Sequence, residues 1–185
     1  MRIALSSPVN ANMFRLCAVR SRFLLVALMA LTVDLLSKQW AFVSLGEYGF
    51  ITLTDRLVLM LVFNTGGAGG VELSPLGWQL SMVVTLFAMA LIMTVLRPMA
   101  SVDPRAVTAL GLVSGGAAGN LASMVVGPAG VADFIGMRLS RDMTIVANVA
   151  DFALWIGALM LIPVGMTLVR MVRDERARHA VRSLA

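Results

Sequence analysis

Residues 77–96 and 106–126 contain no charged side chain, and each run has about the 20 residues that a helix needs to cross a hydrocarbon core of roughly 30 Å. Two such runs fix the solvent: their surfaces face lipid, and the rest of the chain must fold around them. Residues 143–169 form a third run, broken only by Asp151. The fourth is less uniform. Residues 23–33 alone have the length of a signal-peptide core, with Arg15, Arg20 and Arg22 ahead of them, but no small-x-small cleavage site follows. Apolar residues resume after Lys38, so residues 23–45 read as one span carrying two intramembrane charges, Asp34 and Lys38. The expected architecture is an all-α polytopic membrane protein, one domain over residues 1–185 with four transmembrane helices. Composition agrees: 59% of residues are hydrophobic and 14% charged, against roughly 45–50% and 25% in a soluble domain.

The formal charge is +5, and Lys38 is the only lysine among 15 basic residues. Arg2, Arg15, Arg20 and Arg22 precede the first span, and Arg97 and Arg105 lie in a proline-containing loop between the second and third. With Arg170, Arg173, Arg176, Arg178 and Arg182 in the tail 170–185, 11 of the 15 fall on one side. Basic residues mark the cytoplasmic side, so both termini are expected there. This accounts for the basic excess without a nucleic-acid partner, and the tail suits anionic membrane lipids. The single cysteine, Cys17, excludes an internal disulfide and reads as an inert thiol.

Two segments remain for the outer face. Residues 46–76 hold β-like stretches at 51–54 and 57–63 and then a glycine-rich run, which predicts a small periplasmic β-sheet on the membrane surface. Residues 127–142 begin with Gly-Pro and are expected to form a short interfacial helix.

Ionisable residues inside a membrane cost at least ~2.5–3.5 kcal/mol each and are functional candidates by default. Asp34 and Lys38 are spaced i,i+4, which places them on one helix face as an ion pair. At 1.5 Å per residue, Asp151 would lie roughly 12 Å inside a span that starts near residue 143. By the same rule Asn120 and Ser123 lie about 9 and 5 Å below the outer end of the third span, and Lys38 about 10 Å below that of the first. The polar residues of three helices thus share one layer, at a depth suited to a substrate held by a lipid. Asn120-x-x-Ser123 and Asn148-x-x-Asp151 each put both members on one face, and Gly115, Gly116 and Gly119 let a neighbouring helix approach closely.

Four stretches carry a family resemblance in order along residues 34–151: Asp34-Leu-Leu-Ser-Lys38, Asn64-Thr-Gly-Gly-Ala68, Gly115-Gly-Ala-Ala-Gly-Asn120 leading to Val131-Ala-Asp-Phe-Ile135, and Asn148-Val-Ala-Asp151. They resemble the signature regions of signal peptidase II, the lipoprotein signal peptidases. The resemblance implies an aspartic endopeptidase of the bacterial inner membrane. Its implied substrate is a prolipoprotein, cut just before its diacylglyceryl-cysteine. It implies two aspartates flanking a water, with no metal or cofactor, in a protein expected to be a monomer. Asp151 takes one position. Asp34, Lys38, Asn64, Gly66, Ala68, Asn120 and Asn148 take substrate-binding or supporting positions.

The family pattern Gly-Asn-x-x-Asp-Arg reads here Gly119-Asn120-Leu-Ala-Ser123-Met124, so Ser123 stands where the second catalytic aspartate is expected. Gly69-Gly70 stands where the family carries Phe-Ser. A hydroxyl cannot share a proton as a carboxyl does, which leaves Asp133 as the candidate substitute. Three further functions stay open: a degenerate relative that binds lipopeptide, a Ser123–Lys38 nucleophile and base, and a small channel or carrier. The last is disfavoured by the apolar inner halves of spans two to four. Reporter fusions at residue 100 and at the C-terminus should both register cytoplasm; a periplasmic signal from either contradicts the orientation.

Overall fold

The structure, a computed structural model, describes residues 8–64, 77–126, 130–140 and 143–182. Its elements run α1 (Pro8–Tyr48), β1 (Phe50–Thr52), β2 (Leu57–Asn64), α2 (Gly77–Val102), α3 (Arg105–Val126), β3 (Val131–Arg138), β4 (Thr144–Ala147) and α4 (Val149–Arg182). Among the described residues, four helices are long and apolar enough to cross a membrane, over Leu16–Gly46, Gln79–Val102, Arg105–Val126 and Val149–His179. Their outward faces expose residues such as Leu36, Val43, Phe87 and Leu159, as a surface solvated by lipid does. α1 ends at Gly49, whose φ of +72° no branched residue adopts cheaply and whose N–H donates to the Leu45 carbonyl at 3.0 Å. The chain is thereby turned from helix directly into β1.

The four strands form one antiparallel sheet in the order β1-β2-β3-β4. Its register shifts between Leu59 and Val62, where β2 pairs with β3. The sheet docks on the end of α1 through a buried cluster of Ala41, Leu45 and Phe134. Trp40 meets the Phe134 ring edge-on at 6.5 Å between centroids.

α3 is the central helix, and its small residues set how closely the others come. A Cβ on Gly115 would run into the backbone of α1 at Ala27, and one on Gly116 would sit 2.6 Å from the Ala150 carbonyl of α4. In return a Cβ on Gly157 of α4 would sit 2.7 Å from the Ala109 carbonyl of α3. Close packing of backbones is what holds helices together where lipid removes the hydrophobic drive. At the far end of the bundle Phe23, Ile92, Leu96, Val107 and Leu110 form the apolar core joining α1, α2 and α3.

Three expected boundaries are corrected. Residues 131–138 are a strand, not the expected interfacial helix. Val131 to Gly136 are almost all buried because β3 lies between β2 and β4 with a helix against it. A run buried on both faces shows no alternation, and over so few residues its period does not separate strand from helix. The fourth span begins at Val149 rather than residue 143, since Thr144–Ala147 pairs with β3. The loop expected at 97–105 is mostly the last turn of α2, which carries Pro98 inside it, and the chain breaks only at Asp103 and Pro104. Asp103 then caps α3, its carboxylate accepting the Arg105 N–H at 2.8 Å. The arginine-rich tail continues α4 as helix to Arg182.

Candidate functional site

Because α4 starts at Val149, the motif Asn148-Val-Ala-Asp151 is its N-terminus. The Asn148 side-chain oxygen accepts the Asp151 N–H at 3.0 Å, and the Asp151 carboxylate accepts the Asn148 N–H at 3.0 Å. This is a reciprocal capping box, and it explains the spacing of the two residues without reference to any substrate. It also fixes the Asn148 amide. With its oxygen on a backbone N–H, its NH₂ group must face away, and there it donates to Asp133 of β3. One asparagine thus holds two carboxylates, Asp151 through its backbone and Asp133 through its side chain.

The second support comes from α1 and α3. Lys38 donates to Asp34 at 2.7 Å and to the Asn120 oxygen at 2.9 Å. A lysine has no acceptor, so the Asn120 NH₂ is turned to the other side, where it donates to Asp151 at 3.0 Å. The second oxygen of Asp34 accepts the Ala150 N–H at 2.8 Å, one of the donors that a helix start leaves free. Asp34 is wholly buried and Lys38 is 3% exposed. A Cβ on Gly119 would fall on the Asp34 carboxylate, so glycine is required for this approach.

Asp133 is 5% exposed. Burial pushes its carboxyl up to about 6, the Asn148 bond works against this, and the negative charge of nearby Asp151 adds to the rise. Asn64, the last residue of β2, donates to the other Asp133 oxygen at 3.4 Å.

The polar layer expected from three helices is present as a continuous chain of bonds, Asp34–Lys38–Asn120–Asp151. The depth assigned to Asp151 is corrected: it is the third residue of α4, within one turn of the helix start. Ser123 lies apart from the chain of bonds, its hydroxyl donating to the Gly119 carbonyl of its own helix at 3.1 Å. Since Lys38 is committed to Asp34 and Asn120, the two do not form a nucleophile–base pair. Gly66, Ala68, Gly69 and Gly70 lie outside the described residues. Sequence reasoning missed the Ala150 amide, which has no side-chain signal. It also missed the helix start at Asn148, although Asn-x-x-Asp before an apolar run is a recognisable cap.

The fold and site define a multi-pass membrane protein with two carboxylates, Asp133 and Asp151, held by one asparagine where the start of α4 meets a sheet. Residues 26–167 match the family described as signal peptidase (SPase) II. A lipoprotein signal peptidase of Yersinia enterocolitica is 30% identical over 149 residues, covering 80% of this chain and 88% of that one. One from Pseudomonas syringae pv. tomato is 33% identical over 146 residues, covering 77% and 84%. The chain belongs to the signal peptidase II family. A bacterial membrane enzyme solved by the in meso method at 2.3 Å shares the fold with a TM-score of 0.65 at 21% identity, over 83% of this chain and 88% of that one.

Replacing Lys38 by Ala strands a buried carboxylate and should destabilise the protein by about 3–5 kcal/mol. The double change Asp34→Asn with Lys38→Met removes both charges and should recover part of that loss. Melting in detergent checks both; a Lys38→Ala protein that melts like wild type contradicts the structural weight placed on the pair.

Proposed function

We propose that this protein is an active aspartic endopeptidase that removes signal peptides from diacylglyceryl prolipoproteins, with Asp133 and Asp151 as its carboxylate pair. The observation that carries this is the grip of Asn148 on both carboxylates. The pair's members stand in different environments, the arrangement in which two acids take separate roles. Asp151 accepts N–H donors on both oxygens and serves as base. Asp133, raised to about 6, serves as acid when it carries the proton.

In the proposed reaction a water attacks the scissile carbonyl carbon, giving one proton to Asp151 while Asp133 protonates the carbonyl oxygen. The resulting gem-diol collapses: one hydroxyl returns its proton to Asp133, the C–N bond breaks, and Asp151 delivers its proton to the leaving nitrogen. No step needs a carboxyl at position 123. The family comparison supports the substrate class, and the site's position at the start of α4, beside the sheet, supports access from a membrane surface. With the arginine-rich helix ends in the cytoplasm, that surface is the outer face of the inner membrane.

Asp133→Asn and Asp151→Asn should each slow prolipoprotein cleavage about 10²–10⁴-fold, the range for acid–base help, while Ser123→Ala stays within a few-fold of wild type. An inert wild type that gains cleavage on Ser123→Asp would instead establish the degenerate, lipopeptide-binding relative. Robust cleavage that survives Asp151→Asn excludes the aspartic mechanism.

The pH dependence has a fixed sign. Asp133 must be protonated to act, and its carboxyl keeps the proton below about 6 and loses it above. Single-turnover cleavage should fall as pH rises through about 6. A rate that stays flat or climbs across that range contradicts the assignment of Asp133 as acid.

A further inference from the structure

The other end of the bundle carries a groove of about 980 Å³ that the proposed reaction does not use. It lies where the early part of α1, the last turns of α2 and the first turn of α3 meet. Its apolar walls include Leu16, Val19 and Val107, and the guanidinium side chains of Arg22 and Arg97 line it. Arg22 lies sixteen residues before Lys38 on one helix, about 24 Å along the axis. With the carboxylates at one membrane surface, the groove falls at the headgroup level of the other.

Among the described residues the one ion pair is Lys38–Asp34, so neither Arg22 nor Arg97 is neutralised by a carboxylate. The neighbouring acid, Asp103, is already engaged as the cap of α3. Two exposed guanidinium groups without anions, on an apolar groove that opens to the lipid-facing surface, are matched by a phosphodiester with acyl chains attached. Arginine is the side chain suited to phosphate, through its planar fork of donors. Pro98, on the same wall, has no N–H, which leaves the Thr94 carbonyl without its helical donor.

We propose that this groove is a binding site for one anionic phospholipid, its phosphate between Arg22 and Arg97 and an acyl chain along Val19 and Val107. The site is separate from the carboxylate pair and does not depend on whether the protein cleaves anything.

The test uses the purified full chain in detergent and native mass spectrometry, with phosphatidylglycerol and phosphatidylcholine as probes. Wild type should retain phosphatidylglycerol in preference to phosphatidylcholine, and soluble glycerol phosphate should not displace it. Arg22→Gln with Arg97→Gln should weaken retention about thirtyfold, from roughly fivefold for each basic residue near an anionic headgroup. Both arginines are exposed, and unchanged melting in phosphatidylcholine micelles shows that the variant is folded. Val19→Trp, which keeps both charges but fills the groove, should weaken retention as well. Equal retention of the two lipids by wild type overturns the proposal, without use of any variant. So does a folded double variant that binds like wild type. Complete displacement by glycerol phosphate would reduce the site to a free-anion site and equally overturn it.

Discussion

A carboxylate and an ammonium inside a membrane helix have to answer each other, and the Asp34–Lys38 pair does so one turn apart on α1 at 2.7 Å. Each partner then has bonding capacity left over, and this residual demand assembles the site. Asp34 takes the free Ala150 N–H at the start of α4, and Lys38 takes the Asn120 oxygen of α3. Three helices are thereby pinned at one level by groups that cannot be left unsatisfied in a low dielectric. Gly119 is the steric condition for that arrangement, since any side chain there would displace the Asp34 carboxylate.

The sheet supplies what helices alone cannot. Helix ends at a membrane surface offer free N–H groups, which hold Asp151 and Asp34 but bring no second acid beside Asp151. β3 passes across the start of α4, and from it Asp133 reaches Asn148. Irregular and extended backbone is tolerated here because the strands lie outside the spans and satisfy one another, except at the edges of the sheet. The result places three carboxylates, Asp34, Asp133 and Asp151, around one lysine. Burial is the main reason that the Asp133 carboxyl is pushed up to about 6, with the charge of Asp151 adding to the rise and that of Lys38 opposing it.

The spans were legible because uninterrupted apolar length has one meaning, and charges in a membrane announce themselves. The polar layer was legible for the same reason: Lys38, Asn120 and Asp151 each stand out against an apolar background. β3 and β4 were not. Val131-Ala-Asp-Phe-Ile-Gly has no alternation to show, because both its faces are covered, and Thr144–Ala147 is apolar enough to read as the start of α4. That error shifted the expected depth of Asp151 and hid the cap, whose sequence pattern was present. The link between Asn148 and Asp133 depends on which amide atom faces which way, and only the bonded geometry decides that.

The departure at 123–124 then has a physical account. Where the family resemblance implies Asp-Arg, this chain has Ser123-Met124, so one negative and one positive charge are gone together. Losing either alone would change the local charge sum by one. Losing both leaves the local charge sum unchanged. Ser123 satisfies itself on the Gly119 carbonyl and asks nothing of its neighbours. The bonds that hold Asp151 and Asp133 run through Asn120, Lys38 and Asn148, and none passes through position 123. The substitution is therefore compatible with the bonds that hold Asp151 and Asp133, because none of them passes through position 123.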